Sequence, residues 1–105
     1  ANTYVNAKVD LTATSVTTLY TCAALTTGIV KSILVSEDSG NADTITVTIT
    51  NGSTVYSLFN VKAVGANATV ELLTAPLIVQ TGEILKVTAA TANRLHVVAS
   101  ILEIT

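Results

Sequence analysis

The sequence predicts an all-β fold: an antiparallel β-sandwich of eight or nine strands, wound as a jelly roll or an immunoglobulin-like fold. Three observations predict it. The 105-residue chain carries 19 Thr and 14 Val, and these β-branched side chains lose rotamer freedom in a helix but suit a pleated, half-buried surface. Apolar residues recur with a period of two, and no segment sustains a helical 3.6 period between caps. Turn signals interrupt the alternation about every ten residues, the spacing of sandwiches and small barrels.

Each element follows from its own pattern. Tyr4–Leu11 alternates, with Val5, Ala7, Val9 and Leu11 on one face and Asn6, Lys8 and Asp10 on the other. Thr12–Ser15 is a polar connection, Val16–Cys22 a second strand, and Ala23–Gly28 a small-residue loop. Ile29–Glu37 is a third strand, read with Ile29, Ile33 and Val35 on one face and Val30 and Leu34 on the other. Asp38–Asp43 is rich in turn residues. Thr44–Thr50 alternates strictly, turning Ile45, Val47 and Ile49 inward. Asn51-Gly52 then predicts a two-residue type I′ hairpin, because both residues tolerate positive φ. The return strand covers Ser53–Asn60, and Val64–Asn67 is a turn. Thr69–Leu73 and Leu77–Gln80 are short strands separated by Pro76, and Thr81-Gly82 closes the second. Glu83–Ala89 and Arg94–Ile104 complete the set, giving one domain over residues 1–105. Tyr20, Tyr56 and Phe59 are expected in the core, and Tyr4 is expected to anchor the N-terminal segment.

Composition narrows the function. Half the residues are hydrophobic and 11% are charged, the reverse of a disordered chain. So few charges either leave Thr, Ser and Asn to solvate the surface or mean that another subunit covers part of it; the second is favoured. The net charge is −2 and the five cations are scattered, which argues against direct nucleic-acid binding by phosphate neutralisation. Cys22 is the one cysteine, so no intrachain disulfide staple exists, and it reads as a small buried hydrophobe. The N-terminal residues lack the charged-then-apolar pattern of a signal peptide. The longest greasy stretch, Leu95–Ile104, falls well short of the ~20 apolar residues of a membrane helix. No membrane partner is expected.

The final strand is apolar on both faces. Leu95, Val97, Ala99 and Ile101 form one row, and Val98, Leu102 and Ile104 the other, shared with His96 and Ser100. A two-layer sandwich buries one face of each sheet, so the second row needs a cover. That cover is a loop of the chain, an N-terminal arm or, by preference, a neighbouring subunit. Arg94, His96, Val98, Leu102 and Ile104 are therefore the subunit-interface candidates.

Catalytic chemistry is hard to assemble from these residues. His96 is the one histidine and lies in a strand pattern, where a packed or interfacial role is expected. Zinc needs more His or Cys ligands than the chain owns, and the surroundings of Cys22 and His96 do not suggest a nucleophile–base pair. The glycines form no phosphate-cradling loop. Glu37–Asp43 holds three carboxylates and an Asn, donors that calcium accepts, without EF-hand spacing; a solvated Asx-rich turn is expected there. Asn51-Gly52-Ser53 and Asn67-Ala68-Thr69 match the glycosylation triplet but read as chance matches. No catalytic, metal or cofactor-binding residue is assigned.

Several runs carry a resemblance: Ala7–Thr12, Thr17–Thr21, Ile29–Ser36, Asp43–Thr50, Glu83–Ala90 and Arg94–Val98. Together they resemble small virion structural proteins of tailed bacteriophages, of the cyanophage and marine-phage type. The resemblance implies a capsid decoration, or cement, protein: a β-rich homo-oligomer, by preference a trimer. Such a protein is made in the host cytoplasm and sits on the outside of the head, where it reinforces the shell. Its implied partner is the major capsid protein, with Tyr4, Asn6 and Lys8 as capsid-contact candidates. Some decoration proteins clamp the shell with a long N-terminal arm, whereas here strand pattern begins near Tyr4. A tail, neck or fibre-associated β module is the alternative, and a small carbohydrate-binding module a further one.

Overall fold

A computed structural model describes all 105 residues and contains nine strands and no helix. The strands are β1 (Asn2–Asp10), β2 (Thr17–Thr21), β3 (Thr27–Glu37), β4 (Asp43–Asn51), β5 (Thr54–Val64), β6 (Thr69–Glu71), β7 (Leu77–Val79), β8 (Ile84–Ala89) and β9 (Leu95–Ile104). Their pairing is nested and wholly antiparallel. The first strand pairs with the last, β2 with β8, β3 with both β6 and β7, and β4 with β5. This long hairpin is rolled up so that β9 also pairs with β3, and β8 with β4. The result is two packed sheets, β1-β9-β3-β6/β7 and β2-β8-β4-β5. Of the two windings expected, the pairing is that of a jelly roll.

The two shortest strands act as one interrupted edge. β6 runs beside Leu34–Ser36 and β7 beside Gly28–Val30. On this side the stretch of β3 between them lacks a strand partner. There the Glu71 carboxylate accepts from the Ile33 N–H at 2.8 Å and from the Ser32 hydroxyl, and the Leu72 N–H donates to the Ile33 carbonyl. A side chain thus continues the ladder where the backbone leaves it, as the high cost of an unpaired backbone group requires.

The core lies between the sheets. Leu95, Val97, Ala99 and Ile101 of β9 meet Ile45 and Val47 of β4 and Leu85, Val87 and Ala89 of β8, all buried. Each fully buried large aliphatic contributes about 1.5–3 kcal/mol. Polar contacts close both ends. At one end the Tyr20 hydroxyl crosses from β2 to donate to Glu103 Oε2 of β9 at 2.6 Å. At the other, Glu37 is 2% exposed, and its carboxylate accepts from the N–H groups of Ser39, Gly40 and Asn67 and from the Ser39 hydroxyl.

Several expectations need correction. In β3 the register slips between Val30 and Ser32, a β-bulge at Lys31. One extra residue reverses the alternation, so Val30 joins Ile33 and Val35 in the core while Ile29 turns outward with Leu34. The β4–β5 hairpin exists, but Asn51 pairs with Thr54 and the loop is Gly52-Ser53. Only Gly52 has positive φ there, at 62°, which is the type II′ pattern rather than type I′. Val64 is no turn residue: it ends β5 and is fully buried. Tyr56 is 55% exposed on the edge strand rather than in the core, whereas Tyr20 is buried and Phe59 packs half-buried against the core.

Candidate interaction surface

The outward face of the five-stranded sheet is laid out by register. Outward positions of β1, β9, β3 and the edge strand fall into rows. One row is apolar across the whole sheet: Tyr4, Leu102, Ile29 and Ile78. Beside it runs a polar row of Asn6, Ser100 and Ser32. Then come Lys8, Val98, Leu34 and Glu71, a row apolar at its centre with opposite charges at its ends. The last row is Asp10, His96, Ser36 and Thr69. Ile104 lies beyond the first row, beside Asn2 and Thr27.

No part of the chain covers this face. Tyr4 is 74% exposed and Ile78 48%, and Leu34, Val98 and Ile104 are exposed as well. A lone exposed aliphatic is ordinary, whereas a contiguous apolar patch with a polar rim marks a site of interaction. The other sheet differs. Its central strands turn Thr44, Thr46 and Thr48 of β4 and Lys86 and Thr88 of β8 outward, a water-facing surface, and its exposed apolar residues, Val55, Tyr56 and Val61, lie on the edge strand β5.

The polar groups of the apolar face are held in place. Lys8 Nζ donates to Asn6 Oδ1 at 3.2 Å. Glu71 accepts from Ser32, Ile33 and Leu73. Desolvation works to raise the Glu71 pKa, but these hydrogen bonds outweigh it and hold the carboxyl below its ordinary range. His96 lies between two carboxylates, with Nε2 at 3.1 Å from Asp10 Oδ1 and Nδ1 at 3.4 Å from Asp38 Oδ2. Arg94 sits just before β9, where its guanidinium donates to the Ala42 carbonyl at 2.9 Å.

The structure therefore gathers both sets of candidates. His96, Val98, Leu102 and Ile104 share one face with Tyr4, Asn6 and Lys8, so the subunit-interface and capsid-contact candidates lie on a single surface. Arg94 stands at its end, engaged with the β3–β4 loop. Sequence reasoning missed Ile29, Leu34, Ile78 and Glu71 as members. The bulge at Lys31 hides Ile29, the alternation sets Leu34 opposite Ile33 and Val35 without joining it to the row of β9, and three consecutive apolar residues, Leu77–Val79, mask which of them turns outward.

Other candidates disperse. Cys22 is buried, with Sγ at 3.2 Å from the Thr26 carbonyl, at the Tyr20–Glu103 end of the sandwich, while His96 lies at the opposite end of β9. In the Glu37–Asp43 loop the carboxylates diverge: Glu37 binds loop N–H groups, Asp38 faces His96 and Asp43 accepts from the Thr91 N–H. They do not converge on a calcium-sized cage.

No protein-family model matches the chain, and no curated protein matches it. Two solved structures do. Both are crystal structures of a pentameric capsid protein isolated from metagenomic phage sequences, one of them solved by iodide SAD phasing. The first is 21% identical with a TM-score of 0.48, and the second 22% identical with a TM-score of 0.46. Each match covers 94% of this chain but only 59% and 60% of the other, so the chain spans about three-fifths of the length of those proteins.

Proposed function

We propose that this chain is a structural protein of a tailed-phage particle, and within it a decoration (cement) protein of the head. The 1–105 sandwich works as a homo-oligomeric unit bound to the major capsid protein. The observation that carries the reading is the uncovered apolar face of the β1-β9-β3-β6/β7 sheet on a jelly-roll body. Jelly rolls serve viral capsid proteins, lectins and cupins alike, so the fold opens the capsid reading without deciding it. The phage-like runs noted in the sequence favour the virion use among these. Shell reinforcement then follows from multivalency: many weak contacts, each repeated over the capsid lattice, sum to a stiff shell.

The test is quantitative mass spectrometry of purified particles, followed by cryo-EM of the same sample. Hundreds of copies per particle, with density on the outer head surface, are expected. A handful of copies at the neck or tail would replace the decoration role with a tail, neck or fibre role. Absence from particles would overturn both.

One observation favours a second reading. Tyr4 borders a shallow hollow with Asn6, Lys31 and Ser100, an exposed ring beside hydrogen-bonding groups of the kind that saccharides recognise. Glycan-array binding that Tyr4→Ala abolishes would favour a carbohydrate-binding module.

A further inference from the structure

We infer that the apolar sheet face docks against the same face of a second copy, about a two-fold axis that runs parallel to the strands between β9 and β3. This rests on the reading of the chain as a self-assembling subunit and supplies its partner and geometry. Such an axis exchanges the two sides of the sheet and keeps each row level with itself. β1 then lies over the edge strand of the partner subunit, and β9 over its β3.

Register says what meets under that operation. In the apolar row, Tyr4 faces Ile78 of the partner subunit and Leu102 faces Ile29 of the partner subunit. In the charged row, Val98 faces Leu34 of the partner subunit, and Lys8 faces Glu71 of the partner subunit. Every contact occurs twice. Both charged groups lean toward the Asn6–Ser100–Ser32 row, Lys8 through Asn6 and Glu71 through Ser32, so they meet at one height. Turning the axis across the strands instead would set Ile78 over Glu71 and Tyr4 over Lys8, leaving each charge against an apolar group. The Lys8–Glu71 pairing therefore selects the strand-parallel axis, with Lys31, the other lysine of this face, in the hollow beside the polar Asn6–Ser100 row.

The area suffices. Three strands of about nine residues and a broken edge with three residues in each of β6 and β7, about 4.8 Å apart and rising about 3.3 Å per residue, give a face of roughly 500 Å². Two such faces bury about 1,000 Å², the size a specific interface reaches when its surfaces are complementary. The order of symmetry is then two, rather than the three that the phage resemblance implies.

Sedimentation equilibrium of the purified chain tests this, with circular dichroism confirming the β-sheet fold of every variant. The wild-type chain is expected as a dimer. Lys8→Glu alone and Glu71→Lys alone each set like charges together twice and should dissociate. Mixing the two variants makes both pairs opposite again and should restore the dimer mass. Because Glu71 also accepts hydrogen bonds within its own subunit, Val98→Asp serves as an independent variant: it removes an apolar contact, has no hydrogen-bond role and should yield monomers. A wild-type monomer, a mass of three or five subunits, an undiminished Val98→Asp dimer, or a mixture of well-folded charge variants that stays dissociated would each overturn the inference. Failure here is separable from failure of the function: a ring found on phage heads keeps the decoration role and discards the two-fold contact, whereas a dimer absent from particles does the reverse.

Discussion

Gly28 is the most exacting position in the fold, and Gly28→Ala should destabilise the protein by about 2–4 kcal/mol. Gly28 is buried on β3, opposite Glu103 of β9. A Cβ added there would lie 2.9 Å from the Tyr20 hydroxyl oxygen, 3.0 Å from its Cε2 and 3.3 Å from its Cζ. The ring cannot yield freely, because its hydroxyl donates to Glu103 at 2.6 Å. Overpacking costs about 1–3 kcal/mol, and displacing a hydrogen bond to a charged acceptor about 1.5–3 kcal/mol. Set against these is about 0.4–1 kcal/mol from the lower chain entropy of unfolded Ala. Tyr20→Phe should cost about 1.5–2 kcal/mol by itself. In that background Gly28→Ala meets no hydroxyl and has no hydrogen bond left to break, so its penalty should shrink by about 1–2 kcal/mol. Urea unfolding followed by circular dichroism measures all four proteins. Strict additivity, or a Gly28→Ala variant as stable as wild type, would refute the idea that this end of the sandwich is sealed by a phenol with no room to spare.

Three further substitutions test separate features. Burial works to raise the Glu37 pKa, but the Ser39 hydroxyl and the N–H groups of Asn67, Ser39 and Gly40 overcome it and hold the carboxyl at about 2 against an ordinary 4.5. A depressed carboxylate stabilises the folded state above its unfolded pKa, so the contribution should fade as pH drops from 4.5 towards 2; acid titration of stability should show that limb, and Glu37→Gln should flatten it. Val61 is β-branched and exposed yet sits at φ 52° in a bulged part of β5, a left-handed conformation that costs such residues about 1–2 kcal/mol. Val61→Asn should therefore raise stability by about 1 kcal/mol in the same urea assay, and a loss would show that the Val side chain makes an offsetting contact. Thr50 Oγ1 is buried without a hydrogen-bond partner, so the isosteric Thr50→Val should stabilise by about 1 kcal/mol, read as a rise in melting temperature.

Strand existence was largely legible because this sequence states its alternation openly. Thr44–Thr50 and Leu95–Ile104 read as strands and are strands. What escaped were features that depend on single residues added to a ladder. The bulge at Lys31 leaves no local mark, since Ile29 and Val30 fit either face equally well. Asn51-Gly52 and Gly52-Ser53 are both acceptable turn pairs, and the choice is made by which residues pair across β4 and β5. The union of β6 and β7 into one edge is a tertiary fact, set by the length of β3. The interaction face was legible in part: Val98, Leu102 and Ile104 announce an apolar row in need of cover, but its extension through Ile29 and Ile78 requires the register of three pairings.

The two outward faces of this sandwich answer the question posed by its low charge. On the β4–β8 side Thr hydroxyls do most of the solvating, with Lys86 among them. On the β1–β9–β3 side most charges are already engaged, Lys31 in the hollow beside Tyr4 and Ser100 being the exception. Lys8 leans on Asn6, Glu71 is held by β3 and its own loop, and His96 lies between Asp10 and Asp38. Exposed contacts of this kind add little to folding stability. Their effect falls on association instead, because a side chain already fixed by a neighbour loses less freedom when a partner arrives. An apolar stripe on a flat sheet, with its flanking charges pre-set rather than mobile, has the properties of a contact surface that is complete before its partner binds. That is why the uncovered row, more than the winding of the strands, bears the functional reading.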